Sequence, residues 1–237
     1  MQFQHPFAVI TPSADGDVLA VLAGANAWFS ASTVSRMVST RSLEGIRLVL
    51  NRLAEQGIVE REVVGNGHRF RLNRDHLAAE PIVLLANQWR NFLDRLTREL
   101  ESWQTPPTYA AVFGSAARRE MTPSSDIDLF LVRAGTESED EWYENVANLE
   151  SRATLWTGND ARVLWMEESE VADRALETVV QDIVREGIAV VGDPTWLRRA
   201  VRRGRDATDP MHPDEHRGSS GKGDPVHGSR GGPGATR

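Results

Sequence analysis

The sequence predicts an α+β protein with two domains and a disordered C-terminal tail, and three observations lead to that prediction. Residues 1–77 show helical apolar spacing followed by an alternating pattern around a glycine-rich turn. Residues 106–205 alternate short apolar runs with helical segments, which is typical of a mixed sheet with packed helices. Residues 206–237 are mostly Gly, Pro, Ser, His and Arg, and such a segment cannot bury enough apolar surface to fold.

The composition narrows the class of protein. The chain has 237 residues, which suits one large or two small domains, and it has no cysteine. Without cysteine, disulfides and thiolate metal sites are excluded. No apolar run reaches the roughly eighteen residues needed to cross a membrane. The N-terminus also lacks the basic start and apolar stretch of a signal peptide. We therefore expect a cytoplasmic protein without a membrane partner.

Three helices are predicted at the start of the first domain. Apolar spacing predicts a first helix over 17–29 and a second over 30–38. Ser42 is placed to cap a third helix that runs to about Gln56. Gly57 is suited to end that helix, since glycine adopts the left-handed conformation found just after many helices.

A β-hairpin with a flexible tip is predicted next, with strands over 58–64 and 68–72. This order of helices and hairpin is that of a winged helix-turn-helix. The segment 42–59, which ends Leu-Ala-Glu-Gln-Gly-Ile-Val, resembles the recognition helix of bacterial winged-helix regulators. The resemblance implies DNA binding by the third helix and the wing. The candidate residues are Arg41, Arg47, Asn51 and Arg52 on the helix side, and His68, Arg69 and Arg71 on the wing.

The charge of this region is consistent with a DNA partner. Residues 36–74 carry eight arginines against four glutamates, a local charge of +4 in a chain whose net charge is −7. Arginine makes bidentate contacts with phosphate and guanine. Winged helices also dock proteins, so protein docking stays open as an alternative. Because winged-helix readers commonly bind palindromic sites as dimers, a homodimer is favoured.

A linker helix is predicted over 78–103, because several large apolar residues fall on one stripe. They are Leu84, Leu85, Trp89, Phe92, Leu93, Leu96 and Leu100. This helix packs on one of the two domains or dimerises, and packing is the favoured reading. Pro106 and Pro107 follow it and mark a boundary. The predicted divisions of the chain are 1–77, 78–105, 106–205 and 206–237.

Strands and helices alternate in the second domain. The predicted strands are 109–113, 126–133 and 161–166. The predicted helices are 115–120, 139–155, 168–186 with a break near 175–177, and 194–204.

The most informative stretch runs from Val112 to Val132. It reads as a strand, a Gly114-Ser115 turn that opens a short helix, and a second strand that begins with Asp126 and Asp128. Because strand residues alternate, both carboxylates project to the same side. Two like charges so close repel unless a cation lies between them, and hard oxygen ligands suit Mg²⁺, which also binds substrate phosphates. The glycine turn allows a close backbone approach to an anion.

This motif resembles the signature of the DNA polymerase beta-like nucleotidyltransferase superfamily, especially its minimal prokaryotic members. The matching pattern is Gly114-Ser115, ten residues, then Asp126-x-Asp128-Leu. The resemblance covers about 109–193, where 183–192 is similar to the closing helix and strand of small members. It implies transfer of a nucleoside monophosphate, in first place AMP, from ATP or another nucleoside triphosphate with Mg²⁺ or Mn²⁺. The acceptor would be a hydroxyl on a protein or small molecule, and minimal relatives often modify a partner toxin.

The resemblance also assigns roles to single residues. Asp126 and Asp128 would hold the metal ion, and the turn would cradle the β- and γ-phosphates through backbone N–H groups. Arg118 lies one turn into the helix and would reach the triphosphate, with a solvated helix face as the alternative. Arg119 stands where many relatives carry glycine. The nucleotide-binding candidates are Gly114, Ser115, Arg118 and Ser125.

The sequence departs from the family pattern at the third carboxylate, which relatives supply from a later strand. The preferred register places Arg162 where that acid would stand. Asp160 lies two residues earlier, on the same face by strand alternation, and is the candidate substitute. The predicted catalytic set is therefore Asp126, Asp128 and Asp160.

Two other functions stay open on the sequence. In one, a degenerate transferase domain senses nucleotide and the winged helix regulates transcription. In the other, the chain is a structural adaptor, and the acidic pair only caps a strand end.

Overall fold

The structure is a computed structural model that describes residues 1–136 and 138–208. The predicted tail, 206–237, lies outside the described residues except for 206–208, which continue the last helix. Every described helix is too short or too polar to span a membrane.

The first unit contains a one-turn 3-10 helix (Pro6–Val9), three α-helices and a three-stranded antiparallel sheet. Its elements are α1 (Ala14–Ala23), β1 (Phe29–Ser30), α2 (Ala31–Val38), α3 (Leu43–Glu55), β2 (Val59–Val64) and β3 (Gly67–Leu72). The strand order is β1-β3-β2. Ser30 and Ser42 cap α2 and α3, since their hydroxyls accept hydrogen bonds of 3.1 Å from the backbone N–H groups of Thr33 and Gly45. The predicted starts of both helices and the hairpin are confirmed.

The first helix differs from its prediction. It begins at Ala14 and ends at Ala23, whereas the apolar spacing predicted residues 17–29. Phe29 instead pairs with Phe70 in the antiparallel sheet and packs against the core of the unit. Helical spacing over so short a segment is a weak preference, and the pairing of Phe29 with a strand about forty residues away overrides it.

The predicted linker helix is two helices, α4 (Ala79–Ala86) and α5 (Gln88–Glu101). The break lies at Asn87, whose side chain donates a 2.8 Å hydrogen bond to the carbonyl of Val83. The two halves contribute to different cores, because Ala79 is buried in the first unit and Leu96 in the second. One straight stripe cannot face both cores, and Leu84 from the predicted stripe is exposed.

The predicted mixed sheet with packed helices is confirmed in the second unit, where the sheet has four strands and helices on both faces. Its further elements are β4 (Tyr109–Phe113), α6 (Gly114–Arg118), β5 (Ile127–Arg133), α7 (Glu139–Thr157), β6 (Ala161–Glu167), α8 (Glu170–Asp173), α9 (Thr178–Glu186), β7 (Ile188–Val191) and α10 (Pro194–Thr208). The strand order is β6-β5-β4-β7, and only the pair of β5 and β6 is parallel. The predicted break in the helix over 168–186 separates α8 from α9.

Alternation along β5 assigns the two faces of this sheet. Ile127 and Leu129 belong to the cluster that includes α5 and α7, whereas Phe130 and Val132 belong to the cluster that includes α8, α9 and α10. Asp128 therefore shares a face with Phe130, at the end of β5 that lies opposite Phe113. The fold places the acidic motif at this sheet end.

The first residues of the chain lie against the second unit. Phe3 is buried between the rings of Trp89 and Phe92, with centroids 4.9 and 5.1 Å away. The side-chain amides of Gln2 and Gln4 donate hydrogen bonds of 2.9 and 2.6 Å to the carbonyl of Met121. The predicted division placed all of 1–77 in the first unit, whereas these residues contribute to the core of the other one.

Candidate active site

The glycine turn packs directly against one of the two aspartates. Gly114 begins α6 with φ +66°, a conformation that glycine adopts without strain. The residue before it, Phe113, pairs in register with Asp128 on the neighbouring strand. A Cβ atom on Gly114 would overlap the carboxylate of Asp128. The position therefore requires glycine for two reasons, and the turn and the acid form one site.

The two aspartates interact electrostatically. The side chain of Asp126 is 32% exposed, and that of Asp128 is partly buried beneath the turn. Burial raises the pKa of Asp128, and repulsion by the Asp126 carboxylate raises it further, while Arg162 and Arg118 act in the opposite direction. This is the arrangement of two like charges that a bound cation would stabilise.

Arg162 lies near the start of β6, beside the two aspartates. It pairs with Asp128 across the parallel strands β5 and β6. Its Nη1 lies 3.1 Å from Asp126, and its Nε donates a 3.2 Å hydrogen bond to Asp160. Asp160 thus lies at the same sheet end, bound to the arginine. Within 1–136 and 138–208, no three acidic or histidine side chains form a metal-binding cluster.

Arg118 points to α9. The next residue, Arg119, is the one that stands where many relatives carry glycine. The guanidinium of Arg118 contacts Glu120 at 3.0 Å and Glu186 at 2.5 Å. It remains close enough to lower the pKa of Asp128, so the predicted triphosphate contact would require it to leave these carboxylates. Arg119 has φ +58°, the left-handed conformation in which glycine is common at helix ends. The described contacts of Ser115 are backbone ones: its carbonyl accepts a 2.9 Å hydrogen bond from Glu120.

The loop before Asp126 is held in place by Asn159, whose role was not predicted from the sequence. Ser125, a predicted nucleotide contact, uses its hydroxyl to accept a 2.8 Å hydrogen bond from the backbone N–H of Thr122. Asn159 is only 3% exposed and donates a 2.7 Å hydrogen bond to the carbonyl of Ser125. In the sequence, an asparagine after Gly158 indicates only a turn. Its contact with the loop before Asp126 becomes visible only in the folded structure.

Replacing Asn159 with alanine is expected to destabilise the protein and to loosen the loop that leads to Asp126. The carbonyl of Ser125 would lose a buried donor, which costs about 1–3 kcal/mol, and the loop that positions Asp126 would loosen. Chemical denaturation and hydrogen exchange of the backbone amides of 122–126 measure the two effects. Asn73→Ala is the control, since Asn73 makes the same kind of bond to the carbonyl of Gly57 at an exposed position. Equal behaviour of the two variants would contradict this role.

The predicted DNA-binding arginines are paired with acids of their own unit. The pairs are Arg41 with Asp17, Arg47 with Glu44, Arg52 with Asp15, Arg69 with Glu62, and Arg71 with Glu60. Much of the positive charge counted in the sequence is therefore neutralised locally.

A cleft brings the helix and hairpin candidates together. Arg47, Asn51 and His68 line a space of about 410 Å³ with Ser30 and Phe70. These side chains come from α3, the hairpin and the start of α2. Three of the seven predicted contacts therefore meet in this cleft, whereas Arg41, Arg52, Arg69 and Arg71 do not line it.

The comparison with protein families gives a match that covers most of the second unit. Residues 97–192 match the family described as polymerase beta, nucleotidyltransferase, and form a nucleotidyltransferase-like domain. No curated protein matches the chain. Among solved structures, a double mutant of the toxin–antitoxin MntA-HpeT is 15% identical, with 49% of this chain and 85% of that chain covered and a TM-score of 0.36.

Two further solved structures have similar scores. The tri-AMPylated HEPN toxin of Shewanella oneidensis in complex with MNT antitoxin is 16% identical, covers 51% of this chain and 86% of that chain, and has a TM-score of 0.35. A toxin–antitoxin with AMP-PNP is 18% identical, covers 50% and 85%, and has a TM-score of 0.35.

Proposed function

We propose that the nucleotidyltransferase-like domain of residues 97–192 is a metal-dependent enzyme that transfers a nucleoside monophosphate, in first place AMP, to a hydroxyl group. The observation that carries this proposal is the packing of the Gly114 turn against Asp128, with Asp126 close enough to repel the Asp128 carboxylate. A phosphate-binding turn and a metal-binding acid pair are then parts of one site. The family match supports the class of reaction.

The residues present fit one divalent cation. Mg²⁺ is commonly held by one or two carboxylates together with substrate phosphates, and Asp126 and Asp128 supply two carboxylates side by side. The raised pKa of Asp128 reflects burial first and repulsion by Asp126 second, and a bound cation would offset both. When bound, such an ion would neutralise charge on the transferring phosphate. Mn²⁺ would serve the same role, since it prefers the same oxygen ligands.

The chain's own residues would orient the reaction. The hydroxyl oxygen of the acceptor attacks the α-phosphorus and forms a new P–O bond, while the bond to the β-phosphate oxygen breaks and pyrophosphate leaves. Backbone N–H groups at Gly114 and Ser115 would bind the leaving phosphates. The acceptor proton would pass to Asp160, whose side chain is 63% exposed at this sheet end. Asp160 must leave Arg162 to do so.

The proposed acceptor is a protein hydroxyl, and a partner toxin is the first candidate to test. The protein is incubated with Mg²⁺, lysate of its host and each nucleoside triphosphate labelled at the α-phosphate. We expect label on a protein with release of pyrophosphate, and no label when the γ-phosphate carries it. Absence of transfer from all four nucleotides, with lysate or with a small-molecule hydroxyl, would refute the proposed activity.

A second candidate function is a nucleotide-sensing transcriptional regulator of the winged-helix type. The observation that favours it is the cleft in which Arg47 and Asn51 of α3 face His68 of the hairpin. DNA binding there would use the helix for base contacts and the hairpin for the backbone. The transferase-like domain would then bind nucleotide without turnover.

Replacing Arg47 with alanine is expected to weaken binding to the operator by about 1–3 kcal/mol if this arginine contacts a base. A phosphate contact would instead weaken binding to all sequences and reduce the salt slope by about one. Fluorescence anisotropy with the protein's own promoter, with and without ATP, measures both. Arg98→Ala is the control because it removes the same charge from α5. Equal affinity of Arg47→Ala and wild type would count against the regulator.

A further inference from the structure

We propose that Arg162 is a phosphate-binding residue that moves from Asp126 to the triphosphate when nucleotide binds. This inference rests on the proposed function and identifies a further residue of the same site. The first observation is the position of Arg162. Arg162 pairs with Asp128 across β5 and β6, and strand alternation puts both side chains on one face. The guanidinium therefore lies at the acidic pair, on the sheet face where the Gly114 turn begins.

The present partners of Arg162 hold it loosely. Its side chain is 66% exposed and bridges Asp126 at 3.1 Å and Asp160 at 3.2 Å. Ion pairs between exposed side chains stabilise a protein little, because water already solvates both charges. Arginine binds phosphate through two parallel N–H groups. A triphosphate at this site can therefore compete with the partly exposed Asp126 and the exposed Asp160 for the guanidinium.

The other nearby cation is less free to move. Arg118 contacts Glu186 at 2.5 Å and Glu120 at 3.0 Å, and the Glu186 side chain is only 13% exposed. A triphosphate beside Asp126 and Asp128 brings more negative charge than one divalent ion neutralises. Arg162 supplies a further positive charge at the right place, and it is always protonated.

Arg162 should consequently have opposite effects on the two ligands of the site. In the nucleotide-free protein it competes with a divalent cation for Asp126, so its removal should strengthen cation binding. In the nucleotide complex it binds phosphate, so its removal should weaken nucleotide binding. A residue with a merely structural role would not produce this crossed pattern.

The experiment compares Arg162→Ala, Arg162→Asp and Arg162→Lys with wild type in two binding assays. Electron paramagnetic resonance of free Mn²⁺ gives the cation affinity without nucleotide. Calorimetric titration with α,β-methylene-ATP, which cannot release pyrophosphate, gives the nucleotide affinity in EDTA and in Mg²⁺. Because the side chain is exposed, the variants should fold, and circular dichroism checks this. Arg174→Ala is the matched control, since Arg174 forms an exposed pair with Glu177.

We expect Mn²⁺ affinity to rise from wild type to Arg162→Ala to Arg162→Asp, by several-fold at each step. Nucleotide affinity in EDTA should fall about 10-fold or more in Arg162→Ala, and Arg162→Lys should recover part of it. Unchanged nucleotide affinity in Arg162→Ala, or a wild type that binds no nucleotide, would overturn this inference. A wild type that binds nucleotide through Arg162 but transfers nothing would uphold it and refute only the proposed enzyme.

Discussion

Replacing both Asp126 and Asp128 with asparagine is expected to reduce nucleotide transfer about 10³-fold or more. The two carboxylates are the only acids that we place at the metal ion, and asparagine keeps their shape but removes their charge. Loss of metal-assisted charge stabilisation of about 4 kcal/mol corresponds to roughly three orders of magnitude in rate. The rate is measured as transfer of label from the α-phosphate under single-turnover conditions.

The control for this double variant is Asp173→Asn with Asp182→Asn, which removes two charges elsewhere in the second unit. It should transfer at close to the wild-type rate. Burial disfavours the ionised form of Asp128, as its raised pKa shows. Replacing Asp126 and Asp128 with neutral asparagine should therefore not lower the stability of the protein. If it retained more than about a tenth of the wild-type rate, the acids would not be the metal ligands that the proposal needs.

Replacing Gly114 with alanine is expected to cost stability and to reduce transfer about 100-fold. The left-handed backbone costs alanine about 1–2 kcal/mol, and the new Cβ would overlap the carboxylate of Asp128. The acid would have to shift, and a misplacement of about 1 Å in a reacting group costs roughly 10²-fold in rate. Denaturation curves and the single-turnover transfer rate measure the two effects.

Gly158 offers a matched control for the glycine turn. Its φ is +72°, and a Cβ there would meet no atom within 4 Å. Gly158→Ala therefore carries the backbone strain without the collision, and it should lose stability but keep transfer. Comparable transfer in the two alanine variants would show that close packing of Gly114 on Asp128 is not required.

The second unit was predictable because its signals are local. Each strand is a short apolar run, and the Gly114 turn and the acids of the motif lie within fifteen residues of one another along the chain. Pairing of β4 with β5 then brings them together, since Phe113 opposes Asp128. The alternation that predicted one face for Asp126 and Asp128 needs only a strand, although β5 begins at Ile127 and Asp126 precedes it.

The features that the sequence left hidden depend on distant contacts. The end of α1 is decided by the pairing of Phe29 with Phe70, and the break at Asn87 by the separate cores on which α4 and α5 pack. The role of Asn159 depends on Ser125, which is 34 residues away. Neither composition nor periodicity contains this information.

The charge of the first unit also depends on contacts between residues that are distant along the chain. Counting arginines gave a local excess of +4, which favoured DNA. In the fold, Arg41 and Arg52 also pair with Asp17 and Asp15, which lie outside the counted segment. DNA binding would have to exchange such pairs for phosphate contacts, so its affinity should be more modest than the sequence count implies.

The most direct test of the central claim is a crystal structure with Mn²⁺ and α,β-methylene-ATP, with anomalous diffraction to locate the metal ion. The account predicts manganese bound to carboxylate oxygens of both Asp126 and Asp128, and phosphates at the backbone of Gly114 and Ser115. Nucleotide bound elsewhere on the chain, or manganese that contacts neither aspartate, would contradict it.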